Sequence, residues 1–86
     1  MTAETHIASL VLRCAPARMA GLMAQLRDLP QTEIALHEAG KLVLVMETDC
    51  ETAIAETLTR LQLMDGVASA ALVYHHTLND EEGAAP

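Results

Sequence analysis

The spacing of hydrophobic residues changes period several times along the chain, and each change marks an element. From His6 to Arg13 the run HIASLVLR alternates, with Ala8, Leu10 and Leu12 on one face of a predicted strand and Ile7, Ser9, Val11 and Arg13 on the other. Pro16 suits the first turn of a helix. Met19, Leu22, Met23 and Leu26 then recur at three- and four-residue spacing, the apolar stripe of an amphipathic helix that Pro30 stops. In TEIALHEAGKLVLVMET, Ile34 and Leu36 alternate with Glu33, Ala35 and His37, a short turn falls at Ala39 and Gly40, and Lys41 to Glu47 is almost continuously apolar. This predicts a hairpin whose alternating first strand lies at a sheet edge and whose oily second strand is central. Thr48 or Asp49 can cap a second helix, Thr48 and Glu51 having the spacing of a capping box, and Ala53, Ile54, Leu58 and Leu61 form its inner stripe up to Asp65–Gly66. Val67 to His76 reads as the last strand, and the following NDEEGAAP has little to bury.

The predicted order is strand, helix, strand, strand, helix, strand. Two right-handed β-α-β crossovers sharing a hairpin give an α+β, ferredoxin-like split β-α-β fold: a four-stranded antiparallel sheet with its first and third strands central and both helices on one face. At 86 residues the chain has room for one modest core. The reading is a single domain over residues 1–78 and an acidic, disordered tail over 79–86. That fold alone assigns no function.

Composition narrows the field. Hydrophobic types make up 51% of the chain while Trp and Phe are absent and Tyr74 is the single aromatic, so the core is aliphatic. Twelve Asp and Glu against five Lys and Arg give a net charge of −7, which disfavours nucleic acid and favours a cationic peptide; Asp80, Glu81 and Glu82 place part of that charge in the tail. No stretch approaches the ~20 apolar residues of a membrane span. Met1 to His6 lacks a basic segment followed by an apolar one. Cys14 and Cys50 fit neither a disulfide framework nor a C-x-x-C pair, so both are read as reduced packing residues of a cytoplasmic protein.

With both helices on one side, the other side of the sheet faces water. If Leu10 and Leu12 point to the helices, then Ile7, Ser9 and Val11 point away. In the third strand either Val43 and Val45 or Leu42, Leu44 and Met46 do the same, and in the last strand Ala71 and Val73 oppose Ala70, Leu72 and Tyr74. Each choice leaves an aliphatic strip flanked by Ser9, Glu33, Glu47 and His75, and such strips mark contact surfaces. Covering ~600 Å² of it gives ~15 kcal/mol gross at ~25 cal/mol per Å². Association and ordering leave ~7–12 kcal/mol net, micromolar to nanomolar binding. A sheet-to-sheet homodimer would use the same strip.

The segments ASLVLR at 8–13, GKLVLVME at 40–47, DCET at 49–52 and above all DGVASAALVYHH at 65–76 resemble the NapD family of cytoplasmic chaperones dedicated to periplasmic nitrate reductase. The likeness runs from about His6 to His76, and its most specific part is Gly66-Val67 followed by Leu72-Val73-Tyr74-His75. It implies a non-catalytic protein of ferredoxin-like fold. It also implies a partner: the twin-arginine signal peptide of the nitrate reductase catalytic subunit, whose export is held back until the molybdenum cofactor is inserted. A basic end and an apolar stretch on that peptide match acidic groups beside an aliphatic sheet face. The peptide can lie as an amphipathic helix across the sheet or add as a strand at an edge.

The candidate peptide-binding residues are Ser9, Val11, Glu33, Val43, Val45, Glu47, Val73 and His75. Ser9 offers a hydroxyl that either bonds the guest or is simply solvated. Glu33 and Glu47 suit guanidinium groups, for which bidentate geometry favours Arg over Lys. The valines serve only in the register drawn, since a slip of one residue sends each into the core. Tyr74 is read as a core anchor with its hydroxyl at the rim, and the methionines as gap fillers. His75 and His76 point to opposite faces of a strand and cannot share an ion, so no metal or other cofactor is expected. An acyl-phosphate hydrolase would need a glycine-rich anion cradle where this chain has CAPAR, and a copper carrier would need paired thiolates where it has Cys14 alone. The remaining alternative is a small-molecule-binding regulatory domain that dimerises through its sheet. Monomer and weak homodimer both stay open, and membrane insertion is not expected.

Overall fold

A computed structural model describes residues 4–79. Four strands form one antiparallel sheet in the order β2-β3-β1-β4, with β1 at Glu4–Cys14, β2 at Thr32–Glu38, β3 at Lys41–Thr48 and β4 at Val67–Asn79. Helix α1 (Met19–Leu26), entered through a 3-10 turn at Pro16–Arg18, follows β1, and α2 (Glu51–Leu63) follows β3. This is the expected ferredoxin-like α+β arrangement, with β1 and β3 central. Apart from Asn79, which ends β4, the acidic tail placed at 79–86 lies outside the described residues.

The core forms where the alternating strands meet the two helix stripes. Ala8, Leu10 and Leu12 from β1, Leu42, Leu44 and Met46 from β3, Leu22 and Leu26 from α1, and Ile54 and Leu61 from α2 are buried together. Met19, Met23, Ala53 and Leu58 pack against them from the helix flanks, as their spacing predicts. The register His6↔Thr48 through Arg13↔Lys41 between β1 and β3 keeps Ile7, Ser9, Val11, Val43, Val45 and Glu47 together on the side that no helix covers.

The loops are fixed locally. The β2–β3 turn holds Gly40 at φ 80°, where a Cβ would stand 3.0 Å from the Cys14 carbonyl oxygen, and the Gly40 N–H donates to the Met19 sulfur at 3.0 Å. Gly66, at φ 96°, opens β4; a Cβ there would meet the Arg18 guanidinium at 2.9 Å. Arg18 bonds Asp65 at 2.8 Å, tying the entry of α1 to the turn after α2.

Three local expectations are corrected. The capping box does not form: Thr48 is still the last, buried residue of β3, the N-cap falls on Cys50, and Thr48 Oγ1 instead accepts from the Cys50 N–H at 3.2 Å. Cys14 is buried, but Cys50 is exposed and is not a packing residue; both are free thiols. Strict alternation fails in both edge strands, because register shifts fall between Ile34 and Leu36 in β2 and opposite Ser9/Leu10 and Arg13/Cys14 in β4. The extra residues, Ala35 in β2 and Val73 and Ala68 in β4, have no direct partner, and the face presented by the residues beyond each is inverted relative to simple counting.

Candidate binding face

The shifts at Ala35 and Val73 decide what the uncovered face presents. In β2, Leu36 leaves the side of Ile34 and pairs with Val43 on the bare face, 43% exposed, while His37 pairs with Leu42 on the helix side. In β4, Ala71 stays opposite Val11 on the bare face, and Tyr74 comes to lie opposite Ser9 instead of in the core. Tyr74 is therefore a large exposed group at 52%, with His76 stacked beside it at a ring-centroid distance of 6.3 Å. The expectation that Tyr74 anchors the core is overturned, and Leu36 and Tyr74 join the strip unannounced by the sequence pattern.

Of the eight candidate residues, the structure brings six together. Ser9 and Val45 pair directly, as do Val11 and Val43; Glu33 pairs with Val45 and Glu47 with Ile7, so all six share the bare face. The two in β4 are placed otherwise. Val73 is the unpaired residue of the irregularity, 59% exposed between Leu72 on the helix side and Tyr74 on the bare side. His75 pairs with Ala8, and its Nε2 lies 3.1 Å from Nδ1 of the buried His6, on the helix side of the sheet. Thr77 Oγ1 is 3.2 Å from that Nδ1, and Glu4 Oε1 is 3.4 Å from His6 Nε2. The buried imidazole has a hydrogen-bond partner at each ring nitrogen, Glu4 at Nε2 and His75 or Thr77 at Nδ1. His75 thus closes a structural network and does not flank the strip. Among the described residues no three His, Cys, Asp or Glu side chains are grouped to hold a metal ion.

Charge is distributed unevenly along the face. At one end Glu33 and Glu47, with Gln31, Thr32 and Val45, line an open cavity of about 350 Å³. Gln31 is held at φ 61°, a left-handed conformation uncommon for a side-chain-bearing residue, and its carbonyl accepts the Glu47 N–H at 3.0 Å, fixing the backbone beside that cavity. At the other end Arg13 pairs with Lys41, Ser69 flanks Arg13 and Glu38 flanks Lys41. Among the described residues Arg18 and Asp65 form an ion pair and Glu4 lies against the His6 imidazole, so Glu33, Glu47, Arg13 and Lys41 keep their charges open to a guest.

Fold and face together define the class: a small ferredoxin-like domain that leaves one side of its sheet, apolar along the middle and charged at both ends, uncovered. Comparison with known proteins narrows this further. The description of the NapD protein family matches residues 5–79. The chaperone NapD of Escherichia coli strain K12 is 28% identical over 85 residues, covering 96% of this chain and 95% of that one. The chaperone NapD of Paracoccus pantotrophus is 34% identical over 77 residues, covering 90% and 69%. The solution structure of the E. coli Tat proofreading chaperone protein NapD superposes with a TM-score of 0.75 at 27% identity, over 84% of this chain and 78% of that one. The chain belongs to the NapD family. Its relatives are chaperones and not catalysts, which bears out the resemblance and the non-enzymatic reading drawn from it.

Proposed function

We propose that the protein is a proofreading chaperone of twin-arginine export, and that it binds the signal peptide of the periplasmic nitrate reductase catalytic subunit on the bare face of its sheet. The observation that carries this reading is the coincidence, on one face, of an aliphatic strip and an acidic cavity with unpaired carboxylates. A twin-arginine signal joins the two complementary features in one segment: guanidinium groups for Glu33 and Glu47, and an apolar stretch for Val45, Val43, Val11 and Leu36. Ser9, at the centre of the strip, supplies a hydroxyl to the guest, and Tyr74 beside it supplies an aromatic surface. Binding in the cytoplasm would mask the export signal while the molybdenum cofactor is inserted into the client. No catalytic step is required of the chaperone; release needs only that the client's folded state compete for the peptide.

The test is a calorimetric titration with that signal peptide and with a version carrying alanine in place of both arginines. The intact peptide should bind at micromolar affinity or tighter, and the altered one at least about tenfold more weakly, each lost charged hydrogen bond being worth this much or more. Failure of the intact peptide to bind would remove the proposal.

A further inference from the structure

The charges at the two ends of the bare face have opposite sign, and that fixes a direction. Ile7, paired with Glu47, marks the acidic end of β1; Arg13, paired with Lys41, marks the basic end. The two positions are six residues apart, about 20 Å of strand, which is the length of a helix of roughly thirteen residues. The signs are not uniform within each end. His76 stands opposite Ile7 at the acidic end, and Glu38 opposite Lys41 at the basic end, but two unpaired carboxylates still face two unpaired cations along the strip.

Resting on the peptide-binding reading above, we infer that the guest lies in one polarity only: its amino-terminal, arginine-bearing end over Glu33 and Glu47, and its apolar stretch running over Val45, Val43 and Val11 toward Arg13 and Lys41, in the same direction as β1. Two independent effects favour this polarity. In a twin-arginine signal the arginines precede the apolar stretch, so the reverse placement sets them over Arg13 and Lys41 and leaves both glutamates without partners. A helical guest in the inferred polarity also points the positive end of its dipole at the carboxylates and the negative end at the cations. Arg13 and Lys41 act here as specificity-determining residues by repelling the arginines from the wrong end of the strip.

The experiment is paramagnetic relaxation by NMR on the full chain, labelled with 15N, with a nitroxide joined by a thioether either before the arginines or after the apolar stretch of the peptide. The first label should broaden the amides of Glu33, Val45 and Glu47, and the second those of Arg13, Lys41 and Ser69. The reverse pattern, or equal broadening of both ends by each label, would overturn the polarity while peptide binding itself stands. Absence of binding by the unlabelled peptide in calorimetry would instead sink the reading on which it rests. As a second arm, the pair Arg13→Glu and Lys41→Glu should admit the reversed guest, so that each label broadens both ends; an unchanged pattern would show that these cations do not set direction.

Discussion

Leu44 and Val45 are neighbours in β3 with opposite surroundings. Leu44 is fully buried under the helices, whereas Val45 lies on the bare face between Ser9 and Glu33. Val45→Glu should keep the thermal midpoint close to that of the parent and weaken peptide binding at least tenfold, since it breaks the apolar strip where it meets the acidic cavity. Leu44→Ala should cost about 2–5 kcal/mol in urea denaturation. Equal destabilisation by the two changes would contradict the face assignment. Asp65 gives a residue-level prediction of pH dependence. The Arg18 guanidinium, by hydrogen bond and then by charge, holds the Asp65 carboxyl below its ordinary value of 3.8. Because the folded-state value is the lower one, the pair adds stability above the unfolded value, and that contribution is lost as pH falls through the folded value. The carboxylate is exposed, so the effect is small. Asp65→Asn should lower the thermal midpoint slightly at neutral pH and leave it unchanged in acid below both values; a difference that persists in acid would mean that the pair acts through something other than charge.

At the scale of elements, the central strands and the helices were legible and the edges were not. Alternation in β1, the twofold-apolar run of β3 and the 3- and 4-residue stripes of α1 and α2 each encode one period, and burial follows it from Ala8 to Leu61. The same counting placed Leu36 with Ile34, and Tyr74 with Leu72, and it failed at both because an unpaired residue changes the face without changing composition. Neither Ala35 nor Val73 carries a glycine-like mark that would have announced it. His75 leaves the strip for the same reason, turning to the helix side, where the buried His6 of β1 meets it. Glu33 and Glu47 reached the bare face as expected because Glu33 precedes the irregularity in β2 and β3 has none. Deletion of Val73 offers a direct check on this account. With it gone, Leu72 can keep Leu10 and Tyr74 can keep Ser9 in a ladder uninterrupted from Glu4 to Arg13. The deletion variant should therefore fold and retain the Tyr74–Ser9 cross-strand nuclear Overhauser contact, whereas deletion of Leu44, inside the unbroken pairing of β1 with β3, should not yield a folded protein. Loss of structure in the Val73 deletion would show that the extra residue is required for closure of the sheet.

For the molecule as a whole, under the proposed function the net charge of −7 would draw a cationic segment from a distance and the strip would hold it at contact. The two contributions separate with salt. Raising ionic strength shortens the screening length from about 8 Å at 0.15 M to about 3 Å at 1 M, and it should slow association and weaken affinity without abolishing it, because the apolar share is unscreened. Complete loss of binding at 1 M salt would mean that the carboxylates carry the complex alone. A surface kept greasy for a guest also brings a hazard of its own, that unoccupied molecules zip together rim to rim through the unsatisfied amides of β2 and β4. Supernumerary residues interrupt that template on each rim, at Ala35 in β2 and at Val73 and Ala68 in β4. An incoming strand meets a break in register on either rim, which guards the unoccupied molecule against growing into fibres.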